Sequence, residues 1–328
     1  MVTLPKDWAG KVGISKNSVV GLQPQPDGSL VIYPEGNRST GGDYVKSIIV
    51  DDVDDVDFLY RRLVGAYISG MDIIELKSEN TIPDDVIDIA FKFSHTAIGM
   101  EIMEEDDSRI VIEDLMDHKD IRPYKSVERM KVLTRNMMND VLKCLKTRSV
   151  DVIMGMEIKD TEIDRLDWLI SRQISILQRD VSLSRNMGAN LSEISGCGGV
   201  SRCIERIGDH VVSVASSLTS LNRDDLSDLE NLVSGISTRV RDIFTDSVSI
   251  WVDRDMGRAN DCILECHGLV DKISKIPSVE GDANGRLSIA LRTLSNSMKR
   301  AAEYSMDISE MTINSGMSKP DSMRVSSR

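Results

Sequence analysis

Apolar residues follow a period of two only in the first third of the chain; from Tyr124 onward they recur with a helical period. In the opening stretch a short helical pattern, Asp7 to Val12, ends at Gly13. Two apolar runs, Val19 to Leu22 and Leu30 to Tyr33, then flank a turn containing Pro26-Asp27-Gly28. Aspartate and glycine tolerate the dihedrals of tight turns, so this reads as a hairpin. A polar, glycine-rich linker, Glu35 to Gly42, follows. The next stretch predicts strands at Ser47 to Val50 and Asp72 to Leu76 around a helix at Phe58 to Ile68. A helix at Pro83 to Phe93 comes next, and a hairpin of Met100 to Met103 with Arg109 to Ile112 turns at Glu104 to Asp107. That β-α-β-α-β-β order suggests a small α/β domain. Beyond it, breaks near Arg148, Asn186 to Asn190, Asn222, Asp253 and Gly281 delimit six long helices, and Gly316 to Arg328 reads as a polar tail.

Charge sharpens the division. The 328 residues carry a formal net charge of −13. Residues 1–43 are balanced, as are residues 121–328, so the whole acidic excess lies in residues 44–120. The implied segments are 1–43, 44–120, a first three-helix group at 121–221, a second at 222–316, and a tail at 317–328. No apolar run approaches the ~18 residues that span a bilayer, and the N-terminus lacks a signal peptide's apolar core. The expected location is the cytoplasm. Five cysteines fit reduced thiols better than a disulfide framework, and aromatics at 4% offer few platforms for stacked bases.

Several constellations invite chemistry. Asp160 with Asp164, and Glu205 with Asp209, are spaced i, i+4, so each pair shares one helix face, and four such carboxylates on adjacent helices can hold a hard cation, iron, manganese or zinc. On spacing alone they read as a solvated face, with Arg165 and Arg206 as ion-pair partners. The aspartates at 51, 52, 54, 55 and 57 lack the glycine and terminal glutamate of a calcium loop and read as an acidic helix N-terminus. Cys262-Ile263-Leu264-Glu265-Cys266-His267 lacks haem-attachment spacing and reads as buried thiols; Cys197-Gly198-Gly199 reads as a local bend or close packing. His210 follows Asp209 but points about 100° away from it. With no nucleophile triad, phosphate loop or dinucleotide fingerprint, the sequence argues against an enzyme.

The pattern Arg202-x-x-Glu205-Arg206-Ile207-Gly208-Asp209-His210, following Asp160-x-Glu162-Ile163-Asp164-x-Leu166, is similar to the paired signatures of the PhoU family of phosphate-uptake regulators. The resemblance covers roughly residues 121–316 and implies two tandem three-helix bundles, with Asp160, Asp164, Glu205 and Asp209 binding an iron or zinc cluster. In the second half the corresponding positions are His267 with Asp271 and Lys299 with Glu303; a protonated lysine is no ordinary ligand, so one cluster is expected.

The N-terminal segment Val2-Thr3-Leu4-Pro5-Lys6-Asp7-Trp8-Ala9, with Asp27 to Pro34, resembles the SpoVT/AbrB swapped-hairpin domain, in which two chains exchange strands to form one DNA-binding barrel. That implies a homodimer with Lys6, Lys11 and Lys16 as contacts to double-stranded DNA. The family has a further strand ahead of the Thr3-Leu4-Pro5-Lys6 segment, whereas this chain starts almost at it. The pairing of the two regions is similar to archaeal phosphate-uptake regulators. The expected fold is therefore mostly α: two tandem three-helix bundles preceded by a small β-rich domain and an α/β connector. The implied function is negative control of a phosphate ABC transporter through its ATPase subunit; the alternative is an AbrB-type transcriptional regulator that senses metal or phosphate status.

Overall fold

The computed structural model describes residues 3–24, 28–34, 43–51, 53, 55–116, 122–179, 191–277 and 285–318. The linker at 35–42, the helix breaks at 186–190 and at 281, and nearly all of the tail lie outside these. The chain divides into two compact units, residues 1–45 and 46–328.

The first unit holds helix α1 (Lys6–Lys11) and an antiparallel pair, β1 (Val20–Pro24) with β2 (Leu30–Pro34), in which Leu22 faces Ile32. Helix α1 buries none of its residues, and Val19, Leu22, Leu30 and Val31 are exposed. An amphipathic hairpin without a covered face has no core of its own.

The second unit opens with a four-stranded sheet in the order β3 (Val45–Ile49), β4 (Ile73–Lys77), β6 (Arg109–Asp114), β5 (Met100–Glu105). Helices α2 (Val56–Ile68) and α3 (Asp84–Thr96) interrupt the strands in the chain order read from the sequence. Alternation places Ile48, Ile74, Leu76, Ile110 and Ile112 in one core with Leu63 and Tyr67 of α2 and Phe93 of α3. Of the aspartates that imitate a calcium loop, Asp55 caps α2 by accepting from the Phe58 amide at 2.9 Å, and Asp57 lies in its first turn. Asp51 accepts from Ser78 Oγ at 2.7 Å and the Glu79 amide at 2.8 Å. Asp55 and Asp57 thus lie at a helix N-terminus as the sequence suggests, Asp51 serves the turn at Ser78 and Glu79 instead, and Asp52 and Asp54 lie outside the described residues.

Among the described residues six long helices follow: α4 (Pro123–Thr147), α5 (Met156–Arg179), α6 (Leu191–Leu218), α7 (Arg223–Asp253), α8 (Met256–Ile273) and α9 (Arg286–Met317). Their boundaries have local causes. Pro123 sits at the first position of α4, Arg148 and Arg254 end α4 and α7 in the left-handed region, and Asn222 with Asp225 forms a capping box on α7. Helices α4, α5 and α6 pack mutually, as do α7, α8 and α9, and the two groups join where α4 meets α7 and α6 meets α9. One apolar core runs through all six. Gly198 and Gly199 serve close packing. A Cβ at Gly198 would come within 2.9 Å of Ile174 Cδ1, and one at Gly199 within 2.8 Å of Met311 Sδ. Among the described residues, no helix is long and apolar enough to cross a membrane.

The connector is clamped to the bundle by arginines of α5 that reach helix ends. Arg172 and Asp114 form an ion pair with both side chains almost fully buried. The guanidinium also donates to the Tyr67 carbonyl at 2.9 Å and stacks over the Tyr67 ring. Arg165 donates to the Thr96 carbonyl at 2.7 Å, Arg179 donates to the Gly70 carbonyl, and Trp168 meets Tyr60 edge to face. Tyr67, Gly70 and Thr96 lie at or just beyond the C-terminal ends of α2 and α3, where helix carbonyls lack internal partners, so cationic donors suit them.

Candidate metal centre

Asp160 and Asp164 lie one turn apart on α5, with Glu205 and Asp209 one turn apart on α6. The two helices pack directly, and Ile163, Leu166 and Ile170 of α5 share the common core with Val200, Ile204 and Ile207 of α6. Oxygens of Asp160, Asp164 and Asp209 all lie within 4.8 Å of one another. Glu205 stands beside this trio and forms an ion pair at 3.5 Å with Arg202.

Gly208 permits the approach. A Cβ there would fall 2.9 Å from Asp160 Oδ1 and 3.2 Å from Ile163 Cδ1, closer than packing allows. Gly208→Ala is therefore expected to displace the Asp160 carboxylate and weaken metal affinity by ~10–100-fold, the range seen when groups that orient ligands are lost. Helix content should hold or rise, because alanine favours a helix by about 1 kcal/mol over glycine. Metal titration alongside circular dichroism checks both.

The electrostatics of the site are those of carboxylates short of positive charge. Burial first, then the charges of Asp164, Asp209 and Glu205, push Asp160 up to about 7. Burial, Asp209 and Asp167 push Asp164 up to about 6 against the opposing effect of Arg202, and Glu205 is raised for similar reasons. Among the described residues, Asp160 Oδ1 is buried and has no hydrogen-bond partner. A buried acceptor in that condition costs about 1–3 kcal/mol.

The cations that a solvated face would supply as partners do not answer this need. Arg165 turns to Glu162 at 2.6 Å and to the Thr96 carbonyl, Arg206 lies over the Tyr304 ring, and Lys159 reaches across to Asp140 on α4. Arg202, 55% exposed, is the cation that borders the site, at 3.5 Å from both Glu205 and Asp167. Asp167 in turn is buried and accepts from Ser201 Oγ at 2.8 Å. Arg202 and Gly208 stand in the motif that the sequence singles out, but their geometric roles emerge only when α5 and α6 are brought together.

The other candidates fall elsewhere. His210 points away from the trio into a cavity of about 50 Å³ between α4, α6, α7 and α9, where it faces Ser297 and Tyr304. Burial and then Arg300 lower its pKa. On α9, Glu303 is paired with Arg300 at 2.7 Å and Lys299 at 3.9 Å, while His267 and Asp271 of α8 are exposed. Cys262 and Cys266 are buried free thiols. In the first unit Lys6, Lys11 and Lys16 are all exposed.

The donor set fits a cation of the iron, manganese or zinc kind: three carboxylate oxygens lie in reach of one point, one carboxylate has an oxygen with no partner among the described residues, and Arg202 borders the site on the Glu205 side. Asp160, Asp164 and Asp209 are the residues that would hold it, with Glu205 one turn from Asp209 on α6.

Comparison with known families finds that residues 127–218 match the PhoU domain and residues 1–40 match the antidote-toxin recognition domain MazE, a bacterial antitoxin. The first match spans α4, α5 and α6 and contains all four carboxylates; the second spans α1, β1 and β2. No curated protein matches the chain in sequence.

Proposed function

We propose that this chain, which carries a PhoU domain behind an antitoxin-like N-terminal domain, is a cytoplasmic phosphate-uptake regulator that restrains a phosphate ABC transporter through contact with its ATPase subunit. The PhoU domain itself supports phosphate homeostasis as the field of action. The observation that carries the finer reading is the convergence of Asp160, Asp164 and Asp209 within that domain, across two packed helices.

With no cation present, burial and mutual repulsion raise Asp160 to about 7 and Asp164 to about 6, and Asp209 is the exposed member through which an ion enters. An iron or zinc ion, when bound, supplies the positive charge that cancels the carboxylate repulsion. The side chains then cross-link α5 to α6 and fix the surface those helices present to a partner. Because α5 also carries the arginines that clamp the connector, stiffening α5 bears on the acidic domain as well. The chain supplies no nucleophile or general base in this scheme, so its action is binding rather than catalysis.

The experiment that tests the reading is affinity capture of the tagged chain from cells grown in high and in low phosphate, with co-purifying proteins identified by mass spectrometry. Enrichment of the transporter's ATPase in high phosphate is the expected result. Its absence in both conditions would remove the transporter from the account.

A second reading, a DNA-binding transcriptional regulator, has the antitoxin match in its favour. The exposed apolar hairpin of the first unit suits a swapped homodimer, and Lys6, Lys11 and Lys16 suit phosphate contacts. If this holds, duplex affinity falls steeply with salt, and replacing the three lysines with glutamine lowers the slope of log K against log salt by about 1 per lysine. Fluorescence anisotropy across a salt series measures the slope, and an unchanged slope would release these lysines from the role.

A further inference from the structure

The sheet of the second unit has two edges that are treated differently. On β5 the ladder is broken by a bulge between Ile102 and Glu104, and Glu101, Glu104 and Glu105 are exposed along the strand. Bulges and charges are the devices by which proteins keep an edge from pairing with another chain. β3 carries fewer charges and no acidic residue. Its one charged residue is Lys46, its outward residues Val45 and Ile49 are 50% and 61% exposed, and among the described residues no strand lies beyond it. Alternation places Val45, Ser47 and Ile49 on one face, with Ile48 buried on the other.

That sequence is self-complementary. If two copies of β3 run antiparallel about a two-fold axis through Ser47, Val45 of each chain faces Ile49 of the other, and the four exposed apolar side chains form two cross-strand pairs. The same pairing satisfies the backbone donors and acceptors of the open edge. A longer-range fit to some other strand would need a partner of matching register; a second copy supplies it by symmetry.

We propose that β3 is a homodimer contact, at which two copies join their four-stranded sheets edge to edge through antiparallel β3 strands. Two five-residue strands bury less than the ~1,200 Å² of a stable interface, so this contact operates together with another between the same two chains. The inference does not depend on the transporter reading or on the metal.

Single cysteines in the full chain test it, since the five native cysteines in their buried positions leave an exposed one to report. With the axis at Ser47, a Ser47→Cys chain opposes its own copy at ~4.5–5.5 Å between Cα atoms, inside the window for a disulfide. A Val45→Cys chain places the two thiols about four residues apart along the ladder, or ~13 Å, outside it. Mild oxidation is expected to cross-link Ser47→Cys on the order of tenfold faster than Val45→Cys or a control Glu101→Cys on the guarded edge. The double variant Val45→Cys/Ile49→Cys should also cross-link. Chains tied together only through their N-terminal units would cross-link Val45→Cys as fast as Ser47→Cys, and that result, like the failure of Ser47→Cys to cross-link, would overturn the β3 pairing while leaving an N-terminal dimer intact.

Discussion

Asp160→Asn is expected to cut metal affinity by more than ~100-fold, above the ~10–100-fold lost with groups that only orient ligands, and at the same time to stabilise the metal-free chain above neutral pH. The second effect follows from linkage. Asp160 and Asp164 bind protons with pKa about 7 and about 6 in the folded chain, against an ordinary aspartate value of 3.8. Between roughly pH 4 and pH 7 the folded state therefore holds more protons than the unfolded one, so stability falls as pH rises through that window. An asparagine at 160 removes one of the two repelling charges and with it much of the slope. Chemical denaturation of metal-free wild type and variant at pH 5 and pH 8 checks the sign: the two should be close at the lower pH, with the variant more stable at the higher. Saturating metal should flatten the wild-type profile alone. A wild type whose stability is level across this range would mean that Asp160 is satisfied by something other than an ion.

Arg172→Met is the substitution with the largest expected effect on the fold. It leaves Asp114 buried, with its guanidinium partner gone, and strips the Tyr67 carbonyl of a donor. Breaking a buried pair from one side typically costs about 3–5 kcal/mol, which for a chain of this size corresponds to a Tm lower by on the order of 10 °C. The loss should fall at the junction, so limited proteolysis ought to release the connector before the helices are cut. The double replacement Arg172→Met/Asp114→Leu removes both charges and should recover most of the loss, because an apolar pair of similar volume often matches a buried ion pair. A double variant as unstable as the single would show that the arginine acts through Tyr67 instead. Differential scanning calorimetry on the three chains separates the cases.

The elements were legible in the sequence because their signals are local. Hydrophobic period, the Asn222 cap and the turns at Arg148 and Arg254 depend on neighbours within a few residues, and the helices and strands lie where that reading puts them to within a few positions. The four carboxylates were legible as pairs, since i, i+4 spacing is also local. Whether α5 and α6 face each other at those positions is not, and so the roles assigned to Arg165 and Arg206 went astray: each has a nearer partner on another element, Thr96 for one and Tyr304 for the other. The Arg172–Asp114 pair left no trace in the pattern, because its members are 58 residues apart and each alone reads as an ordinary surface charge. The match to the PhoU domain also stops at residue 218, so the three helices beyond it are tied to the first three by packing, through α6 on α9 and α4 on α7, rather than by the family model.

The acidic excess of residues 44–120 takes on a clearer shape in the fold. Asp55 and Asp57 at the start of α2, Asp84 and Asp85 at the start of α3, and Glu105 to Asp107 at the β5–β6 turn lie at the ends of their elements opposite those held by the α5 arginines. The connector thus meets the bundle with helix C-termini that welcome cations and turns its anionic end away from it.

The measurement that bears most directly on the central claim is the affinity of the purified full-length chain for the phosphate transporter's purified ATPase subunit, made with metal-loaded wild type and with Asp164→Asn in parallel. Binding by the wild type that weakens at least about tenfold in the variant, or on removal of the metal, a coupling of ~1.4 kcal/mol, is what this account predicts. Equal binding by the two would detach the carboxylate centre from the regulatory contact, and no binding by either would contradict the contact itself.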